Sequence, residues 1–125
     1  LIKKNKPIDV YNNGYHARDF TYIDDCINIV MKLLKVVKSR KIFSNNSYYD
    51  VVNVACGKQI QLSLLIKELS KNFNKKITIK YKPLQMGDVK KTYSNTKKLK
   101  KYIGNFKNTN FKTGIKNFCK WYKNY

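Results

Sequence analysis

The residues with the clearest capacity for chemistry lie in two polar stretches, residues 11–25 and residues 85–92. The first contains Arg18, one of only two arginines among the 27 basic residues of the chain. Because a guanidinium fork can pair bidentately with phosphate or carboxylate, an arginine in so lysine-rich a chain indicates a role in gripping such a group. The second places Asp88, one of seven acidic residues, directly after the flexible Gly87. Both stretches are candidate ligand-binding segments.

The other acidic and imidazole groups of the first stretch give weak support for acid–base or metal chemistry. His16 is the only histidine, and Asp19 is its only near acidic neighbour. Because a catalytic triad or a metal site needs several groups in mutual geometry, we expect His16 to be an exposed loop residue. Asp24 and Asp25 stand at a predicted helix start, where we expect them to cap free N–H groups rather than to form an acid–base pair.

Three further positions have both a chemical and a structural interpretation. Cys56 ends an apolar run before Gly57, where a small buried side chain is more common than a reactive thiol. Trp121 lies at helical spacing from neighbouring aromatic residues, which favours core packing over a platform for base stacking. Gly57 and Lys58 lack the flanking glycine and the Ser or Thr of a phosphate-binding loop.

The net charge of +20 invites a nucleic-acid interpretation, which the composition weakens. The 27 basic residues are 25 lysines and two arginines, in a chain that is also rich in Asn, Ile, Tyr and Phe, all with A/T-rich codons. The lysines are dispersed, and their densest group, residues 97–101, is typical of a solvated helix surface. We therefore expect no nucleic-acid partner, and a small basic module that binds nucleic acid or an anionic surface stays as the alternative.

Length and cysteine usage narrow the class of protein further. A chain of 125 residues suffices for one small domain, not for a full dinucleotide fold plus a substrate domain. We expect no membrane partner, because no apolar run approaches the roughly 20 residues of a membrane helix. Three cysteines without a C-x-x-C pair predict neither disulfides nor a metal site, and favour a reducing, cytoplasmic setting. The start Leu-Ile-Lys-Lys, without a signal-peptide pattern or Met, suggests a piece of a longer chain.

Hydrophobic periodicity predicts alternating strands and helices. In the first half, residues 8–11 and 20–23 are predicted short strands, with an Asn-Asn-Gly turn at residues 12–14. A helix follows from about residue 24, with one apolar face formed by Ile23, Ile27, Val30 and Leu34. Residues 44–47 are a predicted polar loop, and the apolar residues 51–55 indicate a strand buried on both faces.

In the second half, three helices and one strand are predicted. The elements are a helix over residues 62–73 with Ser63 as a plausible cap, a strand at 77–81, a loop at 83–91, a helix at 95–102 ended by Gly104, and a last helix at 111–125 capped by Thr109 or Asn110. This is an incomplete α/β pattern, because a strand buried on both faces needs more neighbours than these elements supply. We therefore expect another piece of protein to cover part of the apolar surface.

Four segments, in register over nearly the whole chain, resemble the motifs of one enzyme family. They are RDFTYIDD at residues 18–25, VNVACG at 52–57, QMGDVKKT at 85–92, and T-x-F-x-x-G-I-x-x-F-x-x-W-Y at 109–122. These resemble R-D-F-x-Y-I-D-D, Y-N-I-G-x-G, Q-x-G-D-V-x-x-T and T-x-L-x-x-G-I-x-x-F-V-x-W-Y of the extended short-chain dehydrogenase/reductases that act on nucleotide sugars. Within this NAD-dependent epimerase/dehydratase family, the chain is most similar to the UDP-glucuronate 4-epimerase branch.

The resemblance implies an α/β fold, namely the C-terminal substrate-binding portion of a Rossmann-type extended enzyme without its N-terminal dinucleotide-binding half. In the family that missing half carries the glycine-rich NAD motif and the catalytic Tyr and Lys. The resemblance therefore implies NAD bound by the N-terminal half, and no catalytic or cofactor-binding residue within this fragment, residues 1–125. We expect residues 24–56 and 109–125 to pack on the Rossmann domain, residues 57–108 to form the substrate-binding lobe, and the full-length enzyme to be a homodimer.

The resemblance also implies four substrate-binding residues. Arg18 matches the family's arginine on the UDP pyrophosphate, Tyr11 matches a position beside the uracil, and Asp88 matches an acceptor for the uridine ribose. Gln85 stands where related hexose epimerases often carry a phosphate-binding arginine, so it offers a donor without charge.

The implied reaction is conversion of UDP-glucuronate to UDP-galacturonate, by removal and return of hydride at C4. This portion would hold the UDP moiety and would be inactive alone. The family offers three alternative activities, namely those of UDP-GlcNAc 4-epimerase, UDP-glucuronate decarboxylase and dTDP-glucose 4,6-dehydratase.

Overall fold

The computed structural model describes residues 1–38 and 50–125, which fall into two compact units. The first unit comprises Leu1–Arg18, Gln59–Thr92 and Asn110–Tyr125, and the second comprises Asp19–Lys58 and Tyr93–Thr109. The strands are β1 (Ile8–Tyr11), β2 (Ala17–Asp19), β3 (Gln59–Gln61) and β4 (Ile79–Lys82), and the helices are α1 (Ile23–Lys38), α2 (Leu62–Phe73), α3 (Lys97–Ile103) and α4 (Phe111–Asn124). Each unit is thus assembled from segments that are distant in sequence.

Short strands organise the first unit. β1 pairs in parallel with β4, with Ile8 opposite Ile79 and Tyr11 opposite Lys82. β2 pairs with β3, and a parallel bridge joins Ala17 to Lys91. The predicted strand at residues 8–11 is therefore confirmed, and the one predicted at 77–81 is present as β4, displaced towards its C-terminal end. The three-residue strands β2 and β3 were not predicted, because elements this short show no clear alternation.

Helices α2 and α4 pack together in the first unit, where the rings of Phe73 and Tyr122 meet edge to face at 5.9 Å. The predicted cap of α4 is confirmed, since the Asn110 side chain accepts a hydrogen bond from the Lys112 amide at 3.0 Å. The predicted Ser63 cap is wrong, because the chain passes directly from β3 into α2 and places Ser63 inside the first turn. The core position predicted for Trp121 is also wrong within the described residues, since this side chain is 56% exposed.

In the second unit, α1 packs against α3 with Ile29 and Leu99 buried. The apolar face predicted for α1 is present, but its residues are 44–61% exposed: Ile23, Ile27, Val30 and Leu34. A helix stripe of this kind normally faces a core. The described residues leave it uncovered, and its covering by a further piece of protein stays a prediction.

Two predicted strands are wrong. Residues 51–55 form no strand, and Val51 is exposed, because no strand within the described residues lies beside them to complete a ladder of hydrogen bonds. Residues 20–22 connect the end of β2 to the start of α1 instead of forming a strand. The polar loop predicted at 44–47 lies outside the described residues.

Helix α3 ends as predicted at Gly104, whose φ of 71° is in the region that favours glycine. Two side chains of α3 hydrogen-bond to Asp50: its carboxylate accepts from the Lys98 ammonium and from the Tyr102 hydroxyl. The hydrogen bond from Lys98 first, and that from Tyr102 next, hold the pKa of Asp50 below its ordinary value, and the hydrogen bond with Asp50 raises the pKa of Lys98 and of Tyr102. No helix in the described part of the chain is long and apolar enough to span a membrane.

We expect Leu99→Ala to lower the free energy of unfolding of the second unit by about 2–5 kcal/mol, because it empties a fully buried site. Denaturant unfolding of the full-length gene product measures the change. The exposed neighbour provides the control, since Lys100→Ala removes a side chain that fills no core position. Equal shifts of the denaturation midpoint for the two variants would contradict the packing described for α3.

Candidate functional site

The two polar stretches meet at an ion pair in the first unit. Arg18 extends from β2, and its Nη2 donates to Oδ1 of Asp88 at 3.1 Å across 70 residues of sequence. Its Nη1 donates to the carbonyls of Ala17 at 3.0 Å and Lys90 at 3.3 Å. Both ion-pair side chains are 31% exposed, so the guanidinium and the carboxylate remain accessible from solvent. The structure therefore brings together Arg18 and Asp88 as sequence reasoning grouped them.

Backbone bonds hold the Asp88 loop against β2. The Asp88 amide donates to the Gln85 carbonyl at 3.2 Å, with Gly87 in the third turn position at a φ of 82°. A turn with positive φ at that position favours glycine. Farther along, the Ala17 amide donates to Lys90 at 3.0 Å, and its carbonyl accepts from Thr92 at 3.1 Å. These bonds to β2 thus fix the position of the loop that carries Asp88.

Tyr11 and Gln85 belong to the same unit but lie differently. Tyr11 is half-buried at the end of β1, and Gln85 is exposed at the start of the turn. Within residues 1–38 and 50–125, neither side chain hydrogen-bonds to Arg18 or Asp88. Of the four predicted site residues, the structure therefore joins two directly and leaves the roles of the other two as predictions.

His16 is the residue that sequence reasoning misjudged. It is only 5% exposed, and its Nε2 lies 3.2 Å from Oδ2 of Asp88. The expectation that His16 is an exposed loop residue is wrong. The His16 carbonyl accepts from the Leu62 amide at 2.8 Å, which fixes this residue directly before strand β2. A long-range contact produces this burial, so no local periodicity could have indicated it.

Two of the three acids of residues 18–25, Asp19 and Asp25, have a structural role in the second unit. Asp25 accepts from the Thr109 amide at 2.7 Å and from its Oγ1 at 2.8 Å. Asp19 accepts from the amides of Gly57 at 3.0 Å and Ser94 at 3.3 Å. The prediction that Asp25 caps α1 is wrong, because its carboxylate is engaged with a residue 84 positions away. Asp19 and Asp25 thus hydrogen-bond to segments that lie far from them in sequence, at Gly57, Ser94 and Thr109.

Cys56 behaves as a structural thiol. It is free and half-buried, like Cys26, whereas the free Cys119 is buried. Burial first, and the carboxylates of Asp19 and Asp25 next, raise the pKa of the Cys56 thiol above its ordinary value. Because the thiolate is the nucleophile, the raised pKa lowers the reactivity of Cys56. This agrees with the interpretation of Cys56 as a small buried side chain rather than a reactive thiol.

We expect iodoacetamide to alkylate Cys56 at pH 8 about five-fold or more slowly than it alkylates glutathione, because a raised pKa leaves less thiolate at a given pH. Peptide mass spectrometry of the folded full-length gene product gives the rate, and the urea-unfolded protein is the control in which all cysteines should react freely. Modification of folded Cys56 at the glutathione rate would show an activated thiol instead.

The resemblance places the family's catalytic Tyr-x-x-x-Lys pair outside this chain, yet Tyr93 and Lys97 have that spacing. Such spacing places two side chains on one face only when both residues are helical. α3 begins at Lys97, so Tyr93 precedes the helix, and it is exposed. The geometry gives this pair no support as a catalytic couple.

The chain is similar in sequence to a protein family and to individual relatives. The family model described as GDP-mannose 4,6 dehydratase matches residues 1–118. An uncharacterised protein of Methanocaldococcus jannaschii is 35% identical over 97% of this chain and 34% of its own length. The UDP-glucuronate 4-epimerase of Thermodesulfobacterium geofontis is 30% identical over 98% of this chain and 35% of its own length.

Among solved structures, UDP-glucuronic acid 4-epimerase from Bacillus cereus, in complex with UDP-glucuronic acid and NAD, matches with a TM-score of 0.79 at 24% identity. The match covers 98% of this chain and 37% of that protein, so it bears on the fold of this region. The α/β portion of an extended short-chain dehydrogenase/reductase, expected from the motifs, is thereby confirmed. The chain spans 34–40% of the length of the first relatives that it matches.

Proposed function

The chain belongs to the GDP-mannose 4,6 dehydratase family of nucleotide-sugar epimerases and dehydratases, and on this premise we propose that it binds the UDP moiety of a UDP-sugar. We further propose that the full-length protein is a UDP-glucuronate 4-epimerase, which forms UDP-galacturonate by inversion at C4. The relatives named for that activity support the choice of sugar.

One observation carries the nucleotide assignment: Arg18 and Asp88 stand 3.1 Å apart on a strand and a loop, both partly exposed. Their chemistry suits the two polar parts of UDP. A guanidinium donates to a diphosphate through charge-assisted bonds, and a carboxylate accepts from ribose hydroxyls.

The contacts of Arg18 leave it capacity for a ligand. Those within the described residues use three of its five N–H donors. Lys90, whose carbonyl accepts from Arg18, is exposed, and its charge favours an approaching diphosphate. We assign the ribose to Asp88, the diphosphate to Arg18, the surroundings of the uracil to Tyr11, and an uncharged donor to Gln85.

The residues of this chain do not fit NAD. The five glycines, at positions 14, 57, 87, 104 and 114, are too far apart for a glycine-rich dinucleotide motif, and Gly57 is held by Asp19 rather than open to a phosphate. Inversion at C4 needs a hydride acceptor. We therefore assign that chemistry, and NAD itself, to the remainder of the full-length protein.

The exposed face of α1 supports the proposed packing on a Rossmann domain. Ile27, Val30 and Leu34 are 44–52% exposed, in a chain whose relatives are up to about three times as long. We propose that residues 24–56 and 109–125 pack on that domain, that residues 57–108 form the substrate lobe, and that the full-length protein is a homodimer.

The function is tested by titrating the full-length gene product with UDP, dTDP and GDP in a calorimeter, and by incubating it with UDP-glucuronate. We expect UDP to bind most tightly, and UDP-galacturonate to appear in the product analysis. UDP-GlcNAc, UDP-glucose and dTDP-glucose are assayed in parallel.

The outcomes separate the two levels of the proposal. Turnover of another UDP-sugar, without turnover of UDP-glucuronate, would overturn the sugar assignment and keep the UDP site. Failure of UDP to bind would overturn the assignment of the Arg18–Asp88 pair.

A further inference from the structure

The buried imidazole of His16 is not explained by the roles assigned so far. Its backbone is anchored by the bond from the Leu62 amide at 2.8 Å, and the next residue, Ala17, is bonded to residues 90 and 92. The ring is 95% buried as a consequence, with an exposed fraction of 5%. Such a ring has little freedom to turn towards solvent, so its polar atoms must find partners inside the unit.

The Nε2 atom of His16 is incompletely satisfied. It lies 3.2 Å from Oδ2 of Asp88, close enough for an ion pair. The directions of the two groups do not align as a hydrogen bond, and no other described residue supplies one to this buried atom. Buried polar atoms normally have a hydrogen-bond partner, so the placement of this one calls for a functional explanation.

The Asp88 carboxylate is shared between two groups. Oδ1 accepts from Arg18 at 3.1 Å, while Oδ2 faces His16. A diphosphate bound through the two unused donors of Arg18 would compete with Asp88 for the guanidinium and weaken the bond that now fixes the orientation of the carboxylate. His16 would then be the neighbouring group able to keep Asp88 in place, and a small rotation of the carboxylate would align the contact.

We propose, on the basis of the UDP-binding function above, that His16 is a positioning residue that holds the Asp88 carboxylate for the nucleotide once Arg18 engages the diphosphate. The Nε2–H form of the ring supplies the needed donor, whether the ring is neutral or protonated. A carboxylate has about four acceptor positions, so Asp88 can accept from His16 and still accept from a ribose hydroxyl. His16 itself need not touch the ligand.

The test measures UDP affinity of the full-length gene product by calorimetry for His16→Leu and His16→Gln. Leucine fills the buried site without a donor, and we expect it to raise the dissociation constant for UDP about 5- to 20-fold. Glutamine keeps an N–H donor at similar reach, and we expect it to restore affinity to within about three-fold of the original.

A double-mutant cycle with Asp88→Ala distinguishes positioning from general support of the fold. Once Asp88 is absent, His16→Leu should cause no further loss of UDP affinity, because it acts through that carboxylate. If His16→Leu does not fold, His16→Asn takes its place, because its shorter amide falls short of Asp88 and should give the same loss.

Each outcome bears on one claim. Equal losses for the leucine and glutamine variants, or additive losses in the Asp88→Ala background, would overturn the positioning role of His16. Unchanged affinity in the leucine variant, alongside normal UDP binding by the parent protein, would also overturn it and leave the proposed function standing. If the parent protein does not bind UDP, the proposed function itself is wrong.

Discussion

Arg18→Met should raise the dissociation constant for UDP about 10- to 100-fold, because it removes the charge-assisted donors proposed to hold the diphosphate. The fold should tolerate the change, since a half-exposed ion pair with Asp88 contributes only about 0–1 kcal/mol to stability. The UDP affinity of Arg18→Lys should lie between those of the parent protein and Arg18→Met, because an ammonium keeps the charge and loses the planar fork. Calorimetric titration of the full-length gene product measures all three affinities.

The control must remove the same charge elsewhere in the same unit. Lys116→Met does so on the exposed side of α4, and it should change UDP affinity less than two-fold or so at physiological salt, because screening weakens distant charges. Similar losses for Arg18→Met and Lys116→Met would mean that net charge, rather than a site at Arg18, attracts the nucleotide.

Asp25→Ala should destabilise the second unit by about 2–4 kcal/mol, because it deletes both bonds to Thr109, at 2.7 and 2.8 Å, and leaves that amide partly buried without its acceptor. Hydrogen exchange detects this locally. We expect exchange of the Thr109 amide to accelerate by about 30-fold or more in the full-length gene product.

Its neighbour in sequence provides the matched control. Asp24 is exposed in the same turn of α1, so Asp24→Ala removes an equal charge without touching Thr109. Thr109→Val keeps the amide bond and loses only the hydroxyl bond, so about half of the destabilisation is expected. Unchanged exchange at Thr109 in Asp25→Ala would contradict the long-range link between these residues.

Local patterns predicted the elements that depend on local physics. The helix periodicity of residues 62–73 and 111–125 matches α2 and α4 to within a residue, because four apolar positions on one face suffice to specify an amphipathic helix. The cap at Asn110 and the stop at Gly104 also follow from one side chain and one backbone angle. The missed strands β2 and β3 are three residues long, and they form because distant backbone comes to lie beside them.

The candidate site was predictable only in part, for the same reason. Arg18 stands out by its rarity and Asp88 by its glycine neighbour, so composition and turn chemistry were enough to single them out. The burial of His16 depends on Leu62, and the engagement of Asp25 depends on Thr109, contacts that no short window of sequence contains. The apolar residues 51–55 were assigned to a strand whose pairing partners the described chain does not supply.

The interleaving of the two units has a consequence for biosynthesis. The second unit needs Thr109 to complete the contacts of Asp25, and the first needs α4, whose last residue is Asn124, to cover α2. The contacts of the second unit can therefore form only after Thr109 has left the ribosomal exit tunnel, and those of the first only after α4 has left it. The apolar stripe of α1 is synthesised before either unit is complete, and within the described residues it stays 44–61% exposed, so its protection during synthesis depends on protein outside these two units.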